Sequence, residues 1–358
     1  MPNNTKLPGI SYFKHRYSCY LNILDFNSTD AFQTILELEN ETFELIAGIF
    51  CFVFAVFIII ANLAFIFGLL NTNRGLTTVQ KLFIYCSCAD LLAGFIAMPM
   101  LGVSVISGLT CLQQAFMISF VVISVIADGF CMMTISFLRV RSIARPLGAS
   151  KLGRWQMVTI MISQDILVLF PALYFFFTYI YATTLTQYQV VSFLATGFVA
   201  FINTGILICV SATFHFIRQK ESFKDELTIL DKRRLKNQRK SGNTLLIIAG
   251  VMFFSMVLQA PSFIILNISL SESSVLDGST FIWTKRNADF TCFVSSLNCG
   301  FNSVILMARS KKISRYLSRR LTTAVTISSG HRQSHSQSST TTTTTSTITT
   351  ESQANTEV

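Results

Sequence analysis

The sequence predicts an all-α membrane protein, a seven-transmembrane helix bundle with a short amphipathic eighth helix. Of its 358 residues, 51% are apolar, and phenylalanine alone contributes 33. A helix that crosses ~30 Å of hydrocarbon needs about 20 mostly apolar residues, and seven such stretches follow one another along the chain. Basic residues are concentrated in alternate connections between these stretches, which is typical of loops on one side of a membrane.

The seven predicted spans differ in polarity, but each is apolar enough to cross a bilayer if neighbouring helices meet its polar groups. The second, third and fourth each contain an aspartate, and the seventh is rich in serine and asparagine. The predicted spans, which together form a bundle over residues 45–308, are 45–70, 79–104, 112–138, 155–178, 189–217, 244–268 and 287–308.

The charge distribution predicts the orientation of the bundle. Of the 28 lysines and arginines, 23 fall in the segments 71–78, 139–154, 218–243 and 309–358 or at Lys81. Positive loops remain cytoplasmic, so we expect the amino terminus outside and the carboxyl terminus inside. The net charge of +10 then reflects topology and contact with anionic membrane lipids, and no nucleic-acid partner is expected.

Residues 1–44 are predicted to be an extracellular, glycosylated amino terminus. Acceptor triplets for N-linked glycosylation begin at Asn3, Asn27 and Asn40, and such triplets indicate an exposed segment of a protein that enters the secretory route. The first span is expected to act as the insertion signal, because no apolar signal stretch precedes it.

The nine cysteines do not predict a disulfide framework. Seven fall inside predicted spans, where cysteine behaves as a small buried hydrophobe. Only Cys19 and Cys111 are expected outside the membrane, so one disulfide at most is predicted.

The carboxyl-terminal region is predicted to divide into two parts. Residues 309–321 carry apolar side chains such as Ile313 and Tyr316 at helical spacing among basic residues. This pattern is typical of an amphipathic helix on the inner membrane surface, although a basic flank that only stops translocation is the alternative. Residues 322–358 are rich in serine and threonine, and we predict that they are disordered.

Several short motifs, in order and at matching depths, resemble those of rhodopsin-like G-protein-coupled receptors. The segment ADLLAGFIAMP, Ala89 to Pro99, is similar to the second helix of that family. The segment LRVRSIARPL, Leu138 to Leu147, is similar to its Asp-Arg-Tyr box and the loop that follows, with Arg139 at the arginine. The resemblance covers residues 45–321 and implies coupling to G proteins through Arg139, Arg141, Pro146 and Asn302.

The chain departs from the family pattern at several of these motifs. Leu138 stands in place of the acid before the arginine, and Ser303 in place of the proline after Asn302. Gln259 stands where the family usually has a tryptophan, two residues before Pro261. Arg139 therefore lacks the usual acidic partner that holds the family's inactive state, and we expect raised ligand-independent signalling.

Two aspartates are predicted to lie at similar depth in the membrane. Asp90 is nine residues from Lys81, about 14 Å along a helix, and Asp128 is eleven residues from Arg139, about 16 Å. Charged side chains at such depth are rare and usually functional. Two close carboxylates do not both ionise cheaply, so either a shared proton or a bound cation is expected. The alternative is that Asp128 faces another helix as a neutral acid.

The resemblance implies a particular setting for these acids. In the family, this position holds a small, water-filled pocket with a sodium ion, and Asp90 matches the main ligand of that ion. Asp165, eleven residues from Arg154, either extends the network or faces away from it. The residues expected to form the ion and polar network are Asn62, Asp90, Asp128, Asn298 and Asn302.

The expected function is that of a plasma-membrane receptor that transmits an extracellular signal to heterotrimeric G proteins. The short outer loops favour a small or lipid-like ligand, and Gln259, Phe263 and Asp289 are the candidate ligand contacts. Alternatives are a proton- or ion-sensing receptor, or a transporter or channel. An enzyme is not expected, because the four histidines lie in tails or at a helix end.

The resemblance also implies partners for the carboxyl-terminal tail. Receptor kinases would phosphorylate its many hydroxyl groups, and clustered phosphates would recruit arrestin through basic surfaces. The last three residues, Thr356 to Val358, resemble a class I PDZ ligand. Such a peptide adds a strand to a sheet edge, and its terminal carboxylate is captured by backbone amides.

Overall fold

The computed structural model describes most of the predicted bundle. The described residues are 41–72, 75–144, 154–181, 185–222, parts of 236–257, 278–320 and Thr322. All regular secondary structure within them is helical. The principal helices are α1 (Glu41–Thr72), α2 (Thr78–Ser107), α3 (Cys111–Ala144), α4 (Arg154–Tyr181), α5 (Leu185–Ser222) and α6 (Gly278–Arg309).

Six helices in the described part of the chain are long and apolar enough to cross a membrane. They correspond to the first five predicted spans and the seventh, so the all-helical fold with several apolar helices of membrane-spanning length is confirmed, and it is consistent with a multi-pass membrane protein. Most of the predicted sixth span, 244–268, lies outside the described residues, apart from an interrupted apolar helical stretch at Gly242–Val251. The seventh crossing stays a prediction.

Helix α3 is the central helix of the described bundle, since it packs against α2, α4, α5 and α6. Helix α1 packs against both α2 and α6. The approach of α1 to α2 depends on glycine, because a Cβ atom on Gly102 would lie only 2.9 Å from the Phe52 ring and 3.1 Å from the Gly48 carbonyl oxygen. These contacts bring the polar residues of α1, α2, α3 and α6 into one interior.

The first turns of α2 and α3 are held by the same local motif. Thr77 accepts a hydrogen bond from the Gln80 backbone N–H at 3.3 Å, and the Gln80 side chain accepts one from the Thr77 N–H at 2.8 Å. Thr110 and Gln113 repeat this arrangement at 3.4 and 3.0 Å. Each Thr-x-x-Gln box satisfies backbone donors that a helix start leaves unpaired.

A π-helical turn, Ala93–Ala97, interrupts α2. Within it the Met98 N–H donates to the Ala93 carbonyl, five residues back. Pro99 follows at once, and proline removes a helical hydrogen bond and crowds the preceding turn. The wider turn accommodates this crowding, and it lies directly after Asp90, as π-turns in helices often lie beside functional residues.

The chain turns after α6 at Ser310, and residues 311–320 are again helical. Ile313 is buried, and its side chain lies against Gly68 of α1. Near the end of this helix, the Arg320 guanidinium lies 5.6 Å from the centre of the Tyr316 ring. Placement of this helix on a membrane surface stays a prediction.

The predicted sites in both terminal regions lie outside the described residues. These sites are the sequons at Asn3, Asn27 and Asn40, and the PDZ-ligand residues Thr356 and Val358.

Candidate functional site

A buried cluster of polar side chains joins α1, α2, α3 and α6. We call it the polar core. Its two acids are almost fully buried, with Asp90 1% exposed and Asp128 2% exposed. The polar core consists of Asn62, Cys86, Asp90, Asp128, Asn302 and Ser303.

The two aspartates face each other across the α2–α3 interface, together with a thiol. One carboxylate oxygen of Asp90, one of Asp128 and the Cys86 Sγ atom all lie within 4.8 Å of one another. The Cys86 thiol donates a hydrogen bond to Asp128 Oδ1 at 2.6 Å. The two acids, for which residue counting predicts similar depth, thus lie close together in the structure.

Helix α6 contributes an amide to the same cluster. Asn302 Nδ2 donates a hydrogen bond to Asp128 Oδ2, so both Asp128 oxygens have donors. The Asp90 carboxylate is met differently, by the thiol of Cys299 on α6. Asp90 Oδ1 and Asn302 Oδ1 are both buried without a hydrogen-bond partner. Two unpaired acceptors beside a carboxylate pair leave room for a cation or proton donor.

Asn62 ties α1 to α6. Its Nδ2 atom donates to the Ile58 carbonyl at 3.0 Å and to the Cys299 carbonyl at 2.9 Å. Its Oδ1 atom accepts from the Ser303 hydroxyl at 2.5 Å. The Ser303 hydroxyl is also 3.4 Å from that of Ser87 on α2. The residue that departs from the family's proline therefore acts as a hydrogen-bond link between three helices.

Sequence reasoning missed two of these residues and included one that stands apart. Cys86 lies four residues before Asp90, on the same face of α2, and this spacing was the available signal. From the sequence, Ser303 is identified only as a replacement for the family's proline, and its hydrogen bond to Asn62 is not predicted. Asn298 is half-buried, and no hydrogen bond between described residues joins it to either acid.

Asp165 on α4 belongs to a separate contact. It accepts a hydrogen bond from the Tyr85 hydroxyl of α2, and both residues are half-buried. The adjacent Gln164 donates to the Thr134 hydroxyl at 2.6 Å and to the Phe130 carbonyl at 3.2 Å. These bonds hold α4 against α2 and α3, and none of those in the described region connects Asp165 to Asp90 or Asp128.

One face of α3 connects the polar core to Arg139. Asp128, Met132 and Ile135 on this face are all buried, and the spacing of 4, 3 and 4 residues keeps Arg139 on the same face. Arg139 forms no ion pair with a described residue, and its Nε atom is buried without a hydrogen-bond partner. Arg141 is exposed, and Pro146 lies outside the described residues.

The predicted ligand residues are only partly described. Gln259 and Phe263 lie outside the described residues. Asp289 on α6 forms a 2.8 Å salt bridge with Lys285, and the side chains are 15% exposed for Asp289 and 9% exposed for Lys285. Asp289 is therefore already paired with a lysine of its own helix.

The predicted disulfide is described at one end only. Cys111, at the start of α3, is disulfide-bonded, whereas its predicted partner Cys19 lies outside the described residues. The seven remaining cysteines are free thiols, as expected for cysteines inside spans.

Comparison of the whole chain with protein-family models and with curated proteins finds no match.

Proposed function

We propose that this chain is a rhodopsin-like G-protein-coupled receptor of the plasma membrane. Its amino terminus faces outward and its carboxyl terminus faces the cytoplasm, because positive loops remain on that side. The ordered motifs around Asn62, Asp90, Arg139 and Asn302 support this assignment. The receptor takes a small or lipid-like extracellular ligand and transmits its signal to a heterotrimeric G protein.

The observation that carries this proposal is the arrangement of α3. Its buried face carries Asp128 in the polar core and Arg139 at the end next to a strongly basic segment. A helix that links a four-helix polar cluster to an arginine with no ion pair among the described residues is suited to relay a change in packing. A ligand shifts such an equilibrium only by binding one state more tightly than the other.

Arg139 is the proposed contact for the G protein. Its neighbour Leu138 supplies no carboxylate, and Arg139 has no ion pair within the described residues. An arginine whose guanidinium has no such ion pair can donate hydrogen bonds to a partner's carbonyl or carboxylate oxygens. We therefore expect the receptor to couple to G proteins without added ligand.

Basal coupling can be measured in cells that express the receptor with each class of G protein, as second-messenger output per receptor at the surface. We expect output above that of untransfected cells for one class at least, and its loss in Arg139→Ala. Lys81→Ala is the matched control, since it removes an exposed basic residue from the same predicted side. Basal output equal to that of untransfected cells for every class would contradict the proposal, as would full output from Arg139→Ala.

A proton- or ion-sensing receptor is the second candidate. The observation that favours it is the approach of Asp90, Asp128 and Cys86 within 4.8 Å. Two carboxylates at this distance respond to an added proton or cation, because each relieves their repulsion. If a change in extracellular proton or sodium concentration alone changes the signal, and Asp128→Asn removes that change, the ion is the agonist. A response to a separate ligand that persists in Asp128→Asn argues against the ion as the agonist.

A further inference from the structure

The thiol in the polar core gives it a donor set that differs from an oxygen-only cation site. The Cys86 Sγ atom and one oxygen each of Asp90 and Asp128 lie within 4.8 Å of one another. For three atoms so spaced, some point lies no more than about 2.8 Å from each. Zinc–sulfur bonds are about 2.3 Å and zinc–oxygen bonds about 2.0–2.2 Å long, so inward shifts of about 0.5–0.8 Å would bring all three atoms to bonding distance.

A second observation outside these three residues points to a missing ligand. Asn302 is 2% exposed, and its Nδ2 atom already donates to Asp128. Its Oδ1 atom, on the same amide group, is buried without a partner, as is Asp90 Oδ1. Burying an acceptor without a donor is unfavourable, and a cation beside the carboxylates would satisfy both oxygens.

The charge and softness of the donors select the kind of cation. A thiolate and two carboxylates carry three negative charges, which one divalent ion balances together with one proton retained on the carboxylate pair. Thiolate ligands favour zinc and similar soft ions, whereas carbonyl and carboxylate oxygens alone suit hard ions. The Cys299 thiol next to Asp90 makes the surroundings still richer in sulfur.

We propose that Cys86, Asp90 and Asp128, assisted by Asn302 Oδ1, form a binding site for a divalent thiophilic cation of the zinc class. Binding breaks the Cys86 S–H bond, forms a metal–sulfur bond and releases one proton to solvent, because the thiolate is the ligand. The site does not depend on the proposed receptor function, and a chain that fails to couple to G proteins would still bind the metal.

The test uses the full chain, purified in detergent after treatment with a chelator. The midpoint of thermal unfolding is measured with and without zinc chloride, after incubation until the midpoint stops changing. We expect zinc to raise the wild-type midpoint by several degrees. Replacing a residue that only contacts a metal ligand can lower metal affinity by as much as ~100-fold. Cys86→Ser removes a direct ligand, so its apparent zinc affinity should fall at least that far, while any response to sodium should remain.

Cys88→Ser is the matched control, because Cys88 lies two residues further along α2 and is exposed. It should keep the full response to zinc. A wild-type midpoint that zinc does not raise would overturn the proposal. An equal increase in Cys86→Ser would overturn it too, since the metal would then bind elsewhere.

Cadmium provides a direct readout of the thiolate. A cadmium–thiolate bond absorbs in the ultraviolet, so the wild type and Cys88→Ser should gain a charge-transfer band that Cys86→Ser lacks. If Cys86→Ser does not fold, Asp128→Asn serves as the second variant, and it should lose most of the band at limiting cadmium. An absent band in the wild type, or a band of full strength in Asp128→Asn, would refute the site.

Discussion

The polar core and the Lys285–Asp289 pair are two charged regions that differ in their charge balance. The pair contains one base and one acid, whereas the polar core contains two acids and a thiol. In the second, a lysine meets an aspartate one helical turn away at 2.8 Å, on a single helix. In the first, Asp90 and Asp128 approach each other across two helices, and the donors they receive are thiols and an amide. No described lysine, arginine or histidine forms an ion pair with either acid.

This difference indicates what each region requires from its surroundings. The Lys285–Asp289 pair compensates its own charge and stabilises the local helix. The polar core retains an unpaired oxygen on Asp90 and another on Asn302, so its charge has to be balanced by a proton or a cation from outside the chain. We therefore expect the first region to be structural and the second to respond to solution conditions.

The largest expected effect breaks the self-compensated pair. Lys285→Met should lower the free energy of unfolding by about 2–3 kcal/mol, because an uncompensated buried charge costs 3–5 kcal/mol and Asp289 is partly exposed. Thermal unfolding of the solubilised protein would measure this. The double variant Lys285→Met, Asp289→Leu should recover most of the loss.

The polar core should be nearly insensitive to the same kind of change. Asp128→Asn removes one of two like charges, which offsets the loss of its hydrogen bond from Asn302. In sodium-free buffer we expect its free energy of unfolding to stay within about 1 kcal/mol of the wild-type value. A loss as large as that of Lys285→Met would mean that the two regions do not differ as described.

The next largest effect concerns the amide that links α1 to α6. Asn62→Ala removes hydrogen bonds to the Ile58 and Cys299 carbonyls and leaves the Ser303 hydroxyl without its acceptor. We expect a loss of about 2 kcal/mol, since a net hydrogen bond contributes about 1 kcal/mol and a buried unpaired group costs more. Asn71→Ala is the control, because its single bond to the Phe67 carbonyl is exposed. Equal losses would contradict a structural role for Asn62.

The smallest effect is expected at the edge of the polar core. The Ser87 and Ser303 hydroxyl groups are 3.4 Å apart, which is long for a bond between hydroxyls. Ser87→Ala should therefore change the unfolding midpoint by less than about one third of the Asn62→Ala shift, given the weak geometry. A larger shift would indicate that Ser87 holds the link more strongly than its distance suggests.

Sequence alone predicted the parts of this fold that depend on length and periodicity. The spans around Asp90 and Asp128 were found because long apolar stretches identify crossing helices. Counting residues from Lys81 and Arg139 placed both acids at one depth, since a helix rises 1.5 Å per residue. Their close contact additionally required the packing of α2 on α3, which the family resemblance supplied.

The details that sequence did not predict depend on side-chain direction and on local backbone. The sequence predicts Cys86 only as a buried thiol like the other cysteines inside spans, because cysteine in an apolar helix usually behaves as a small hydrophobe. The π-turn at Ala93–Ala97 rotates the part of α2 that follows it relative to Asp90, and the sequence feature associated with it is Pro99. Tyr85 as the partner of Asp165 required the contact between α2 and α4.

The central claim is that the polar core needs a cation or proton that the chain itself does not provide. The most direct measurement is thermal unfolding of purified wild type, Asp90→Asn and Asp128→Ser in sodium chloride and in choline chloride at equal ionic strength. At ten times its dissociation constant, sodium should stabilise the wild type by about 1.4 kcal/mol. Asp128→Ser should keep this response and Asp90→Asn should lose it. Identical midpoints in both salts, together with the same dependence of the midpoint on pH in all three proteins, would contradict the claim and leave the polar core as a purely structural hydrogen-bond network.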